Sequence, residues 1–139
     1  MSNLERIGVS LDKTLLNQFD QWITQKQYPN RSEAIRDLIR GNLAQEELSV
    51  PSAKAVAAIL LVYDHHSMKL AQRLVEIQHD HLVQTISAQH VHLDHDNCLE
   101  VIILKGKAAK LQQIADRITS LKGVILSRIN IVPTGEKLT

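Results

Sequence analysis

The chain has 139 residues, of which 44% are apolar and 3% aromatic, and its net charge is +1. This length suits one ordinary domain or two small ones. The sequence contains no run of eighteen apolar residues, so we expect no membrane span. It has no charged-then-apolar leader, so we expect no secretory signal. The single cysteine permits no internal disulfide, so we expect a protein of the reducing cytoplasm. The nearly neutral charge gives no electrostatic argument for general nucleic-acid binding.

The first fifty residues predict one short strand and two helices. Apolar and polar residues alternate over residues 4–11, which is typical of a strand. Because a short strand is not stable alone and no partner strand follows nearby, we expect it to pair with the same strand of a second copy. Asp12 is a good N-cap for the first helix. Asn30, with Glu33 three residues later, resembles a capping box at the start of the second. Residues 1–48 are therefore predicted to form an intertwined dimer.

Residues 49–53 are predicted to link this domain to a second one, residues 54–133, which is followed by a tail, residues 134–139. The apolar patterns of the second domain first predict a strand over 55–63 that is buried on both faces, and then a helix over 67–86. A strand over 88–94 and a strand over 98–105 follow, and Gly106 closes the second of these. The last two elements are a helix that ends near Leu121, with Gly123 as its cap, and a strand over 124–132. This βαββαβ order is ferredoxin-like. The predicted fold class is α+β.

Five of the seven histidines and the only cysteine lie within residues 79–98. Imidazole and thiolate together hold borderline and soft transition metals firmly. His90 and His92 are two residues apart, so on a strand they leave from one face with Cα atoms about 6.6 Å apart. The turn-forming residues 94–97 would fold Cys98 back beside them. The sequence thus predicts two nitrogen ligands and one sulfur ligand on one face of a hairpin. A fourth ligand would complete this metal site.

Taken one at a time, these histidines and the cysteine are more simply interpreted as ordinary residues without a metal. Surface histidines are common, and a lone cysteine is usually a small buried apolar side chain. Their coincidence on one hairpin face favours a metal site. The residue types leave the metal open, because three nitrogens and one sulfur suit Ni(II) or Cu(II) in a plane and Zn(II) in a tetrahedron.

The N-terminal strand, helix and helix resemble the ribbon-helix-helix family of DNA-binding proteins, especially at the run Asn-Arg-Ser-Glu-Ala-Ile-Arg of residues 30–36. In that family the two-stranded ribbon enters the major groove. The resemblance implies DNA contacts by three outward ribbon residues and by the start of the second helix, namely Arg6, Gly8, Ser10, Asn30, Arg31 and Ser32. Gly8 departs from the family, which commonly has a hydroxyl residue there, so we expect the operator sequence to differ. Residues 1–50 carry a net charge of −1, so we expect useful affinity only when two ribbons engage one operator.

Over almost its whole length the chain resembles the nickel-responsive transcriptional regulators. The most specific matching segments are residues 30–36, His79, the run His90-Val91-His92 and residues 95–100. The resemblance implies an ACT-like second domain, a homotetramer, and one Ni(II) per subunit. It also implies the ligands, which are His90, His92 and Cys98 of one chain and His79 of a neighbouring chain.

The same resemblance implies supporting residues. Glu100, two past Cys98 on the same strand face, and Tyr63 would orient a ligand imidazole. Glu33 and Asp37, four apart on the second helix, would hold an alkali or alkaline-earth cation near the join between the domains. Four further histidines are not expected to be primary ligands: His65, His66, His81 and His95.

These features predict a nickel-dependent repressor that binds a palindromic operator in double-stranded DNA when metal is bound. Two alternatives remain: a zinc-responsive regulator of the same architecture, and an antitoxin-like ribbon-helix-helix protein whose second half binds another protein. An enzyme is not expected, because four protein ligands leave no metal position for substrate.

Overall fold

A computed structural model describes residues 3–136, and the chain divides into two compact units between Gly41 and Asn42. The helices and strands follow in the order α1 Lys13–Gln25, α2 Arg31–Leu48, β1 Lys54–Asp64, α3 Met68–Asp80, β2 Thr85–His92, β3 Asn97–Lys107, α4 Ala108–Thr119 and β4 Val124–Pro133. Within residues 3–136, none of these helices combines the length and the apolar character that a membrane crossing requires.

The first unit begins both of its helices as the sequence predicts. Asp12 caps α1, since its Oδ1 accepts a hydrogen bond from the Leu15 amide at 2.9 Å. Asn30 Oδ1 accepts one from the Glu33 amide at 2.9 Å at the start of α2. Residues 3–12 form neither helix nor strand in the single chain. The two-stranded ribbon needs a second copy, so it stays a prediction.

The second unit contains one four-stranded sheet in the order β2-β3-β1-β4, with every neighbouring pair antiparallel. Helices α3 and α4 supply the apolar side chains that cover one face of it. This strand order and the βαββαβ sequence of elements agree with the ferredoxin-like prediction for this unit. The chain is therefore α+β.

Strand β1 is buried on one face, and the prediction that both faces are buried is wrong for the single chain. Its alternate residues from Ala55 to Tyr63 are at most 2% exposed, whereas those between them, from Val56 to Val62, are half-buried. The reason is that helices α3 and α4 pack on the same face, so none of the described residues forms a layer over the second face of the sheet. An apolar run therefore does not by itself show how many faces are covered.

Helix α3 ends at Asp80, so the prediction of a helix that extends to residue 86 is wrong. The amides of Gln84 and Thr85 both donate to the His81 carbonyl, at 3.1 and 2.9 Å, which closes a turn. Leu82 and Val83 mimic a helical stripe in the sequence but lie in this turn, 62% and 92% exposed. Strand β2 consequently begins at Thr85, three residues before the predicted start at 88, and ends at His92 rather than at 94.

The region around α4 also differs from the prediction. Gly106 lies inside β3, which continues to Lys107, and α4 follows directly. The C-cap of α4 is Ser120, not Gly123. Gly123 instead lies in the turn before β4, where its φ of +103° is readily adopted only by glycine.

The predicted linker, residues 49–53, is tied to the start of α4. The Ala108 amide donates to the Ala53 carbonyl at 2.8 Å, and the Ala109 amide donates to the Pro51 carbonyl at 3.1 Å. These bonds satisfy amides in the first turn of α4, which have no partner within the helix. The segment is thus part of the second unit rather than a free tether.

We expect Gly123→Ala to lower the free energy of unfolding by about 1–2 kcal/mol from backbone strain alone, and by more because the new Cβ would lie 3.1 Å from Leu70 Cδ2. Gly135→Ala is the matched control, since Gly135 has a φ of +85° but no atom within 4 Å of an added Cβ. Urea denaturation of both variants separates the two effects. Equal losses would contradict the role of the Leu70 contact.

Candidate metal centre

Five of the predicted site residues share one face of the sheet because of strand register. His92 of β2 lies opposite Cys98 of β3, and Cys98 lies opposite Tyr63 of β1. His90 lies opposite Glu100, two residues along the same two strands. Directly paired residues project to the same side of a sheet. The hairpin and the central strand therefore present two imidazoles, a thiol, a carboxylate and a phenol together.

A short hydrogen-bond chain connects Glu100, Tyr63 and His90. Tyr63 Oη donates to Glu100 Oε2 at 3.2 Å and lies 3.4 Å from His90 Nδ1. Because the phenol proton goes to the carboxylate, Tyr63 Oη can accept from a protonated Nδ1 of His90. That tautomer leaves Nε2 of His90 as the lone pair for a metal, which is the usual result of an outer hydrogen bond on a ligand imidazole.

The thiol of Cys98 is buried and protonated. Its side chain has no exposure, and Sγ donates to the Tyr63 carbonyl at 3.5 Å. Burial raises the pKa of Cys98, hydrogen bonding with Tyr63 opposes part of this rise, and the Glu100 and Asp64 carboxylates add to it. Burial and the neighbouring Glu100 carboxylate also raise the pKa of Tyr63, so the phenol stays a neutral donor. A cation that takes up this sulfur must therefore displace a proton.

The predicted metal ligands are close but do not converge as one ligand group. The rings of His90 and His92 are 5.2 Å apart between centroids. The His92 ring also meets the His65 ring edge-on at 5.3 Å. Among the residues that the structure describes, His90, His92 and Cys98 are not a group of three with all ligand atoms within 4.8 Å of one another. His79 lies exposed in the last turn of α3.

The side chains that do converge include three histidines that were not expected to be primary ligands, namely His65, His66 and His95. Two groups within residues 3–136 bring their ligand atoms within 4.8 Å of one another: Asp64 with His65 and His66, and His66 with His95 and Asp96. This proximity results from the β1–β3 pairing, which sets Asp64 opposite Asn97. That register brings the loop after β1 against the turn between β2 and β3, and the His65 amide donates to the Asp96 carbonyl at 3.0 Å.

The two carboxylates predicted to hold a hard cation already have partners. Glu33 is ion-paired with Arg36, and Asp37 with Arg40, in both cases three residues further along α2. Asp37 also accepts a hydrogen bond from Tyr28 Oη at 2.8 Å, and this bond, with the Arg40 guanidinium, lowers the pKa of Asp37. The mutual repulsion that would favour a cation is thus relieved by arginine. The hard-cation site stays a prediction.

The residues predicted to contact DNA are accessible, with one internal pairing. Arg6, Gly8 and Ser10 are exposed on the N-terminal segment, as is Ser32 in the first turn of α2. Arg31 donates two hydrogen bonds to the Asp20 carboxylate, both at 2.8 Å. This bidentate pair fixes α1 against the start of α2. Arg31 is therefore engaged within its own unit.

The second unit is ferredoxin-like and carries a buried thiol beside two imidazoles, and the first unit contains the helix α1 and most of α2. The model of the NikR C-terminal nickel-binding domain matches residues 56–132. Proteins described as nickel-responsive regulators are similar along their length. One from Trichlorobacter lovleyi is 50% identical, with 89% of each chain covered. Those from Nitratidesulfovibrio vulgaris (strain Miyazaki F) and Solibacter usitatus are 48% and 47% identical, with 100% and 99% of each chain covered.

The chain belongs to the family of nickel-responsive regulators. The family model spans β1 to β4 almost completely, so it covers the strands that carry Tyr63, His90, His92 and Cys98.

We expect nickel affinity to rise about tenfold per pH unit across the neutral range, if one proton leaves the Cys98 thiol for each ion bound. The sign follows from the raised pKa of Cys98, which keeps the thiol protonated below that pKa. Chelator competition at a series of pH values measures the slope. An affinity that does not change with pH would contradict a role for this sulfur.

Proposed function

We propose that the chain is a nickel-dependent repressor that acts as a homotetramer on a two-fold symmetric operator. The observation that carries the proposal is the donor set on β2 and β3, a buried thiol with two exposed imidazoles, in a chain of this family. Imidazole and thiolate donors suit a borderline transition metal. Residue types alone leave zinc open, and the relatives' description as nickel-responsive regulators favours nickel.

The proposed ligands are His90, His92 and Cys98 of one chain with His79 of a second chain, and one ion per subunit. His79 lies four residues after Val75 on α3, so the two side chains project from the same helix face. Val75 is 65% exposed. A second chain that covers this apolar face would bring its own donors next to the imidazole, and the single-chain set would gain its fourth ligand.

The uncovered face of the sheet supports assembly of the second unit. Val62 pairs with Leu126, and Val56 pairs with Val132, all on the face away from the helices. Leu126 and Val132 are 60% and 55% exposed. Apolar residues contiguous on an open sheet face are typical of a protein–protein interface.

The first unit supports an intertwined ribbon-helix-helix dimer. Among its described residues only Ile23 and Ala34 are buried apolar side chains. Seven of its large apolar residues are 43–77% exposed: Leu4, Ile7, Val9, Leu11, Leu15, Leu38 and Ile39. So small a buried core does not stabilise a folded unit alone. Pairing of two copies would bury these residues and form the ribbon that carries Arg6, Gly8 and Ser10 to the major groove.

Metal binding and operator binding are coupled in this proposal through the assembly. When bound, the nickel ion would act as a Lewis acid that accepts lone pairs from the Cys98 thiolate and from the imidazole nitrogens. Ligands from two chains then hold the β2–β3 hairpin of one chain to α3 of another. This link between two chains limits the relative positions that the paired first units can take on DNA. It thereby shifts the population of the protein toward the operator-binding state. A hard cation at Glu33 and Asp37 would add to this only by replacing their arginine partners.

Cys98→Ala is expected to abolish tight nickel binding and metal-dependent operator protection, because it removes the single thiol of the chain. The fold should remain, since alanine fits a small buried site. His81→Ala is the matched control, since His81 is outside the proposed ligand set. Chelator competition and nickel-dependent footprinting measure the two effects. Footprinting by Cys98→Ala equal to that of the control would contradict the proposal.

Ile7→Asp is expected to prevent pairing of the first unit, because it would bury an unpaired carboxylate in the ribbon dimer. Operator binding should be lost while tight nickel binding by the second unit is kept. Arg6→Ala is the comparison, expected to weaken operator binding and leave the assembly intact. Sedimentation and electrophoretic mobility shift of both variants test this. A tetramer that still binds its operator with Asp at this position would rule out the ribbon.

A further inference from the structure

We propose that Asp20 is a positioning residue, which holds the Arg31 guanidinium so that the free edge of this group can bind a phosphate of the DNA backbone. Asp20 lies on α1, and Arg31 is the first residue of α2, beyond the turn that joins the two helices. This role rests on the proposed function, in which the first unit binds operator DNA. Asp20 acts through Arg31 and makes no contact with DNA itself.

The Arg31 guanidinium is hydrogen-bonded along one edge. Its Nε and Nη2 atoms donate to the two oxygens of the Asp20 carboxylate, both at 2.8 Å. A guanidinium has five N–H groups in one plane, and this side-on pair uses two of them. Within residues 3–136, Nη1 has no hydrogen-bond partner. The N–H groups of Nη1 and the second one of Nη2 therefore form a free end, which matches two oxygens of a phosphate.

Both partners of this ion pair are charged and partly open to solvent. The hydrogen bonds with Arg31 lower the pKa of Asp20, so the carboxylate is ionised at neutral pH. The side chains of Arg31 and Asp20 are 56% and 39% exposed. Ion pairs at such a surface contribute little to the free energy of unfolding. The main effect of this pair is therefore on direction, because it restricts a long side chain to one orientation.

The place of the ion pair suits a backbone phosphate. Asn30 Oδ1 accepts a hydrogen bond from the Glu33 amide at 2.9 Å. The amides of Arg31 and Ser32, in contrast, have no hydrogen-bond partner among the described residues. Free amides and the positive end of the helix dipole attract an anion to the same end of α2. An oriented Arg31 would add a side-chain contact to these backbone donors.

The Asp20 carboxylate has two opposite effects on such a contact. It repels the phosphate, and with the two anions on adjacent edges of the guanidinium, about 7 Å apart, this repulsion across water corresponds to about threefold in affinity and to less in salt. It also fixes a side chain whose rotamer freedom, if it were lost only on binding, corresponds to about thirtyfold. Orientation is the larger effect. Removal of the carboxylate should therefore weaken DNA binding, although it makes the first unit more positive.

Binding of the nickel-loaded full chain to two DNA duplexes tests this role. One duplex is selected from a random pool by the wild-type chain, and the other has an unrelated sequence. Asp20→Ala should weaken binding to both duplexes by at least about threefold at constant salt, because a phosphate contact carries no sequence information. Glu46→Ala is the matched control, since it removes the same charge from an exposed α2 side chain that makes no ion pair within residues 3–136. It should leave the affinity unchanged or raise it slightly.

A double-mutant cycle separates positioning from a loosened first unit. In an Arg31→Ala background, Asp20→Ala should have no further effect on affinity, whereas lost packing between α1 and α2 would weaken binding in either background. Asp20→Glu keeps a carboxylate and should recover most of the wild-type affinity. Sedimentation and circular dichroism check that each variant keeps its assembly and its helix content.

Two results would overturn the positioning role alone when the wild-type chain binds the selected duplex. One is an affinity of Asp20→Ala that equals or exceeds that of Glu46→Ala. The other is an equal loss from Asp20→Ala with and without Arg31. A nickel-loaded wild-type chain that enriches no duplex and binds none would overturn the positioning role together with the proposed function.

Discussion

The antiparallel pairing of β1 with β3 is the constraint on which the surroundings of Cys98 depend. It sets Tyr63 opposite Cys98 and Asp64 opposite Asn97. A shift of this pairing by one residue would turn the β3 side chains to the other face relative to β1 and separate Cys98 and Glu100 from Tyr63. The register is firmly specified because alternate residues of β1 are packed under two helices while their neighbours are not. A pattern of apolar side chains thus determines where polar chemistry can occur.

Much of the secondary structure could be predicted because its signals are local. Period-two and period-3.6 patterns give the order of elements, and caps such as Asp12 and Asn30 depend only on the next few residues. The end of α3 could not be predicted, since Leu82 and Val83 continue a helical pattern while they lie exposed in a turn. The covering of β1 could not be predicted either. An apolar run does not reveal whether its second face meets a helix or another chain.

The site was predictable to the extent that its residues are neighbours on one hairpin. His90, His92 and Cys98 follow from strand spacing and one turn. The link from Tyr63 to Glu100 spans 37 residues, and the proximity of His66 to Asp96 spans 30. Both depend on the β1–β3 register. The arginine partners of Glu33 and Asp37 are three residues away on one helix, so their pairing could have been read from spacing.

The burial of Cys98 has a kinetic consequence. A sulfur with no accessible surface meets neither dissolved oxygen nor alkylating reagents unless the hairpin opens. The metal-free protein should therefore persist with its thiol intact through oxidative episodes that would consume an exposed cysteine. For Cys98 as a proposed metal ligand, the same shielding means that metal binding requires local opening of the hairpin. Metal uptake through the proposed ligands would then be timed by local opening of the hairpin rather than by diffusion of the ion.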